Sequence, residues 1–343
     1  MADHGAAGIS PDPAEDPAFA LAAIAEDGVP SRPLTVVDLD AVDGPGSWFA
    51  GAGATLGRAT RPLSGSAREV ARTLTTSVVP PGLADEPTLV AVDDVDATVA
   101  AIVARTSLAP RTTIALDGLL RLTEGVDAET GVVAESFAYS MLLASPEFAA
   151  WRASRAPRQR TTTADPVQLR REGDRLDVVL DRPARGNAFS ADLRQALVEA
   201  LRFAALDPSL TLVRLSGEGR HFSTGGDLDE FGTAPDPGAA HAVRLDQSAG
   251  LAVHRIRDRV EARVHGRCIG AGIEVPAFAG RLVAAPGTTF QLPELELGLV
   301  PGAGGTVSIP ARIGRWRTAY LVLTGVALGA ATARDWGLVD AVE

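Results

Sequence analysis

The chain has 343 residues, 46% hydrophobic and 22% charged, an ordinary balance for a globular protein and enough length for two domains. Its net charge of −11 argues against a nucleic-acid partner, because that binding rests on clustered cations. All 32 basic residues are arginine, as a GC-rich genome would favour, and the absence of lysine excludes Schiff-base chemistry, pyridoxal phosphate and a Walker A phosphate loop.

Residues 1–30 are rich in Ala, Asp and Pro and are expected to be loosely ordered at their start. Met1 to Pro13 has neither the basic nor the apolar region of a signal peptide. An extended segment is expected at Leu34–Asp40. Gly51-Ala52-Gly53-Ala54-Thr55-Leu56-Gly57 has a superficial likeness to a dinucleotide loop. Its spacing is wrong and no strand–turn–helix unit with a later acidic residue surrounds it, so it reads as a flexible turn. A helix is expected near Ala67–Thr76, a short buried strand at Thr88–Val92, and an amphipathic helix over Asp94–Ala104, where Val95, Val99, Ile102 and Val103 fall at helical spacing. Two more helices are expected around Thr113–Leu122 and Ala128–Ala153. Between Ala153 and Pro166 the chain turns Arg-, Thr- and Pro-rich with little to bury, which places a domain boundary there. Residues 1–160 then form a smaller N-terminal α/β domain of unknown role, and 166–343 a second domain.

From Val167 the pattern sharpens. Leu176–Leu180 alternates as a strand should, Asp181 to Asn187 makes a turn, and Ser190 is a good N-cap for a helix with Leu193, Leu197 and Leu201 on one face. A strand at Leu212–Leu215 leads into His221-Phe222-Ser223-Thr224-Gly225-Gly226-Asp227-Leu228. His265–Gly270 repeats the motion, strand into glycine-rich turn, and a helix carrying Glu274 follows. Strand alternating with helix implies α/β layering, in which function gathers on the turns.

The turns suit thioester chemistry. Negative charge developing on a thioester carbonyl oxygen needs N–H donors aimed at it, each contributing about 10²–10³ in rate. Glycine lets the backbone turn its N–H inward and lets a substrate approach; Gly225-Gly226 and Gly270-Ala271-Gly272 offer two such turns. Glu274 and Glu294 are candidates to move protons or activate water, and their apolar neighbours Ile273, Val275, Pro293 and Leu295 should push their pKa upward.

Residues 167–343 resemble the crotonase superfamily, also called the enoyl-CoA hydratase/isomerase family. Four motifs carry the resemblance: Arg182 to Ala188, Phe222 to Leu228, Gly266 to Glu274, and Pro293 to Thr306. The resemblance implies a spiral of repeated β-β-α units that binds an acyl-CoA, with coenzyme A as part of the substrate and no other cofactor. It implies that Gly226 and Ala271 supply the oxyanion-hole N–H donors. Glu274 and Glu294 match the pair that in hydratases activates water and delivers the α proton. Gly226, Asp227, Leu228 and Ala271, together with Arg185, Asn187 and Ala188, match segments that line the coenzyme A path. Asp227 has a second reading, in which its carboxylate caps the following turn.

The chain stops at Glu343, where family members continue into a helical region that covers the acyl pocket, meets the adenine end of coenzyme A and supports trimers. The N-terminal extension is expected to replace that region in part, as a lid or an oligomerisation surface. A homo-oligomer is expected, trimer-based if the short C-terminus allows.

Arg244, Arg255, Arg257 and Arg259, near His241 and His254, could meet coenzyme A phosphates; a solvated helix face is the expected reading. His221 and His265 have no partner at metal-like or triad-like spacing, so no metal is expected. Cys268, the one cysteine, allows no internal disulfide and reads as a buried small residue. With no apolar run near the ~20 residues of a membrane helix, a cytoplasmic location is expected.

Hydration of a 2-enoyl-CoA, or its reverse, is the first functional expectation. The second keeps the oxyanion hole for double-bond isomerisation, or for the cofactor-free oxygenation of an N-terminally extended branch. The third is a silent subunit that binds acyl-CoA or a protein partner.

Overall fold

The structure is a computed structural model that describes residues 24–26, 28–42, 53–156 and 165–343. The start of the chain, Gly51 and Ala52 of the glycine-rich stretch, and most of the Arg/Thr/Pro-rich boundary segment lie outside the described residues. In chain order the first elements are β1 (Leu34–Asp38), β2 (Ala54–Arg58), α1 (Gly65–Thr73), β3 (Thr76–Val79), β4 (Leu89–Ala91), α2 (Val95–Leu108), α3 (Pro110–Leu122), α4 (Ala128–Leu143) and α5 (Pro146–Ala153). There follow β5 (Val167–Glu172), β6 (Arg175–Leu180), α6 (Ala191–Leu206), β7 (Leu212–Gly217), α7 (Pro237–Asp246), α8 (Ala249–Arg255), β8 (Val260–Val264), β9 (Arg267–Ile269) and α9 (Ala271–Glu274). The last are β10 (Arg281–Ala284), β11 (Thr289–Gln291), α10 (Gly305–Ser308), α11 (Pro310–Thr324), β12 (Leu328–Gly329), α12 (Ala330–Trp336) and β13 (Ala341–Val342).

Most helix starts follow from local capping chemistry. Ser64, Asp94, Asp127 and Ser190 each accept from a backbone N–H three residues on, which satisfies a donor the helix leaves orphaned. The single helix expected over Ala128–Ala153 is two, because Ser145 caps and Pro146 opens a new one.

β1 to β4 form one parallel sheet in sequential order. Two sequence expectations are corrected here. Ala54–Arg58 is a buried strand rather than a flexible turn, and Gly57 is needed because a Cβ there would crowd Leu74 and Leu39 at 2.8 and 2.9 Å. The first helix ends at Thr73, leaving Thr76–Val79 as a strand the sequence reading overlooked.

In the second half a six-stranded sheet runs β13-β10-β8-β7-β6-β5, parallel except for the β5–β6 hairpin, and a three-stranded sheet runs β12-β11-β9. Successive units place one strand in the larger sheet (β8, β10), one in the smaller (β9, β11), and then a helix (α9, α10), which is a spiral of β-β-α repeats. The larger sheet and α6 bury Leu176, Val178, Leu180, Leu193, Leu197, Val213 and Leu215. The same continuous core takes in Leu116, Leu120, Val132, Leu142 and Phe148 from α3 to α5. A separate small core lies between the N-terminal sheet and α1, built on Leu39, Val70, Leu74, Val79 and Leu89. Arg315 of α11 ties the halves together, donating to the carbonyls of Leu74 (2.7 Å) and Arg72 (2.6 Å).

Candidate active site

Two glycine turns meet beside β9. The chain leaving β7 runs along it, with Ser223 N–H donating to Arg267 O (3.4 Å) and Ile269 N–H to Ser223 O (3.1 Å). Gly225, at φ +93°, stands where a Cβ would be 2.8 Å from Ile269 O, so only glycine admits this approach. Gly270, at φ +49°, borders both carboxylates: a Cβ there would lie 2.6 Å from Glu294 Oε1 and 3.6 Å from Glu274 Oε1. Gly226 and Ala271, each one residue past these glycines, line a cavity of about 740 Å³. Neither amide donates a hydrogen bond to another described residue.

Glu274 and Glu294 both reach this cavity, at 2% and 8% exposure. Glu274 Oε2 accepts from Ala303 N–H (2.7 Å) and Gly305 N–H (3.0 Å). Gly305 has no room for a side chain, since a Cβ would meet Glu274 Cγ at 2.5 Å. Burial, with Glu294 and Glu135 nearby, holds the Glu274 carboxyl well above the usual range despite those two donors. Burial likewise pushes Glu294 up to about 8. Its Oε2 is buried and has no hydrogen-bond partner among the described residues.

A third carboxylate, which sequence reasoning missed, comes from the N-terminal half. Glu135 of α4 is 1% exposed and lines the same cavity. Its Oε1 accepts from Gly304 N–H (2.7 Å), and its Oε2 from Thr306 N–H (2.9 Å) and Thr306 Oγ1 (2.7 Å). Burial pushes it up to about 7. Val132, Tyr139, Leu143 and Trp151 continue this wall. The one available signal was the period: Gly131, Glu135 and Tyr139 fall at i, i+4 and i+8, so a carboxylate sits on the apolar face of the helix.

Arg244 of α7 belongs to the same wall and corrects the solvated-face expectation at this position. Its guanidinium lies 4.5 Å over the Tyr139 ring, Nε donates to Ser136 Oγ (3.1 Å), Nη2 donates to Ser136 O (3.2 Å) and it also reaches Ser140 Oγ. His241 Nδ1 shares Ser136 Oγ at 2.9 Å while the ring stacks on Phe137. Arg255 and Arg259 lie away from the cavity, the first 3.8 Å from Glu129 and the second donating to Leu210 O (2.8 Å).

The structure brings Gly226, Asp227, Leu228, Ala271, Glu274 and Glu294 together in the cavity wall. Arg185, Asn187 and Ala188 do not line it. Asn187, at φ +52°, is fully buried: Oδ1 accepts from Arg182 N–H (2.7 Å), and Nδ2 donates to Glu218 O (2.8 Å), His221 O (3.0 Å) and Phe222 O (3.1 Å). These bonds scaffold the turn. Arg185 is paired with Asp229 (2.9 Å) and Asp227 (3.4 Å), and Asp227 Oδ1 accepts from Asp229 N–H (3.2 Å), the geometry of the capping alternative. His221 Nδ1 accepts from Arg267 N–H (3.2 Å), and His265 Nε2 lies 2.9 Å from Gly219 O. Cys268 is fully buried, and burial pushes its thiol up, so it is inert core. Among the described residues no helix is long and apolar enough to cross a membrane, and no side-chain cluster could hold a metal ion.

Comparison with known proteins agrees with the motifs. The family model for Enoyl-CoA hydratase/isomerase matches residues 174–343. The chain is 34% identical over 167 residues to 2,3-dehydroadipyl-CoA hydratase of Escherichia coli K12, a match covering 49% of this chain and 65% of that protein. It is 33% identical over 187 residues to carnitinyl-CoA dehydratase of Shigella flexneri, covering 52% of this chain and 68% of that one. A crystal structure of enoyl-CoA hydratase from Thermoplasma volcanium GSS1 aligns at 31% identity and a TM-score of 0.48 over 52% of this chain and 72% of its own. The chain thus spans slightly under two thirds of the dehydroadipyl-CoA hydratase it matches. On the strength of these sequence matches, the chain belongs to the enoyl-CoA hydratase/isomerase family.

Proposed function

We propose that this protein hydrates a 2-enoyl-CoA thioester, or runs the reverse dehydration. The observation that carries the reading is the meeting of two buried glutamates, Glu274 and Glu294, across Gly270, next to the acceptor-free amides of Gly226 and Ala271. The thioester oxygen lies against those two amides, which take up the charge that builds on it as water attacks C3. Hydration needs one carboxylate to take a proton from water and one carboxylic acid to give a proton to C2. Burial raises Glu294 to about 8 and Glu274 well above the usual range, so a carboxyl of this pair can keep a proton to give to C2 where an exposed one would have lost it. The named activities of the relatives, hydration of dehydroadipyl-CoA and dehydration of carnitinyl-CoA, support this class of reaction.

The test is loss of the conjugated-thioester absorbance of crotonyl-CoA on mixing with the protein. Glu294→Gln and Glu274→Gln should each lower kcat/KM by about 10²–10⁴-fold, the usual contribution of one general acid or base. An isomerase would tolerate one of the two changes, and a protein that binds crotonyl-CoA without consuming it would refute the hydratase reading.

A further inference from the structure

The wall supplied by the N-terminal half is fitted to the loop that holds Glu274. Three residues on one face of α4 meet it in register. Gly131 lies where a Cβ would stand 2.7 Å from Val307, Glu135 accepts from Gly304 and Thr306, and the Tyr139 ring covers Gly302. Thr123, which caps the end of α3, adds a hydrogen bond from its Oγ1 to Thr306 O (2.9 Å).

The backbone amides of this loop alternate between two carboxylates. Ala303 and Gly305 donate to Glu274; Gly304 and Thr306 donate to Glu135. Gly304, at φ +100°, allows successive N–H groups to point to opposite sides. Each carboxylate therefore fixes the loop that orients the other. Loosening Glu135 frees the 303–306 amides, and with them the Glu274 carboxylate.

We propose that Glu135 is a positioning residue for the hydration chemistry: from the N-terminal half it clamps the 303–306 turn, which sets the orientation of the Glu274 carboxylate. This rests on the hydratase reading. Charge enters as well as geometry. Arg244 of α7 faces Glu135 from one side, with Tyr139 on its own helix, Glu274 of α9 and Glu294 around it. As a like charge, Glu135 helps hold the other two carboxyls above their usual range.

Two variants test the proposal, Glu135→Gln and Thr306→Val. In the first, one carboxylate oxygen becomes an NH2 that faces an N–H donor. In the second, a single hydrogen bond to Glu135 is removed at nearly constant volume. Glu135→Gln should lower kcat on crotonyl-CoA about 10²-fold, the cost of a displaced catalytic group, with KM nearly unchanged. The pH–rate limb set by the carboxylates should move to lower pH, because a like charge beside Glu274 has gone. Hydrogen exchange of the peptide spanning 303–306 should quicken. Thr306→Val should move all three readouts in the same direction by less, and decides the matter if Glu135→Gln does not fold.

Wild-type kcat with an unmoved pH limb in both variants overturns the proposal. So does a lower plateau with the limb and the exchange unchanged, which would mark Glu135 as structural only. If the wild-type protein hydrates no enoyl-CoA, the hydratase reading fails by itself. Exchange at 303–306 then still decides whether Glu135 holds the turn.

Discussion

Substituting Gly302 by alanine tests the union of the two halves at one point. A Cβ there would overlap the Cδ2–Cε2 edge of the Tyr139 ring and stand 3.2 Å from its Cγ. The ring cannot easily withdraw, being 9% exposed with the Arg244 guanidinium 4.5 Å over it. Overpacking of this kind costs about 1–3 kcal/mol, and the constrained ring places Gly302→Ala toward the upper end. Tyr139→Ala alone empties a large buried site and costs about 3–5 kcal/mol. The double variant removes the ring against which the new methyl collides, so it should be less destabilised than the two single changes together by at least about 1 kcal/mol. Urea titration of the four proteins at one pH measures this directly. Additivity to within about 0.5 kcal/mol would show that the two residues do not touch, and would refute the packing of α4 on the 302–306 loop.

Two further predictions concern stability against pH and the Asn187 turn. The folded protein binds more protons than the unfolded chain wherever Glu135 (about 7), Glu294 (about 8) and Glu274 are protonated in the fold but ionised outside it. Stability should therefore fall as pH rises from about 4.5, the ordinary carboxyl value, through about 8, and more shallowly in Glu294→Gln. Melting temperatures across the window measure it, and a flat or rising profile in the wild type would contradict the burial argument. Asn187→Ala leaves one buried N–H and three carbonyls without their partner and places alanine at φ +52°, so it should destabilise by about 2–4 kcal/mol. The fraction that folds should keep a wild-type KM for the acyl-CoA, because Asn187 does not line the cavity; a large rise in KM would place it on the coenzyme A path.

The sequence by itself determined the family, the helices of the first half in outline, the helices that follow Ser190 and carry Glu274, and the two catalytic candidates, because each is written in short-range pattern. Ser64, Asp94, Asp127 and Ser190 announce helices whose first turns they cap three residues on. The glycines at 225 and 270 mark positive φ beside the site, and the glutamates stand next to their own turns. Tertiary structure decided the rest. β2 and β3 are short parallel strands whose pairing partners lie in other parts of the chain, so neither strand carries a local signal strong enough to be read. Glu135 finds its donors 169 and 171 residues away, and Arg244 finds Ser136 108 residues away. Whether a carboxylate is a solvated surface group or a buried, proton-holding member of a site depends on what covers it. In this protein the cover for the second half comes from the first, through contacts that no local period encodes.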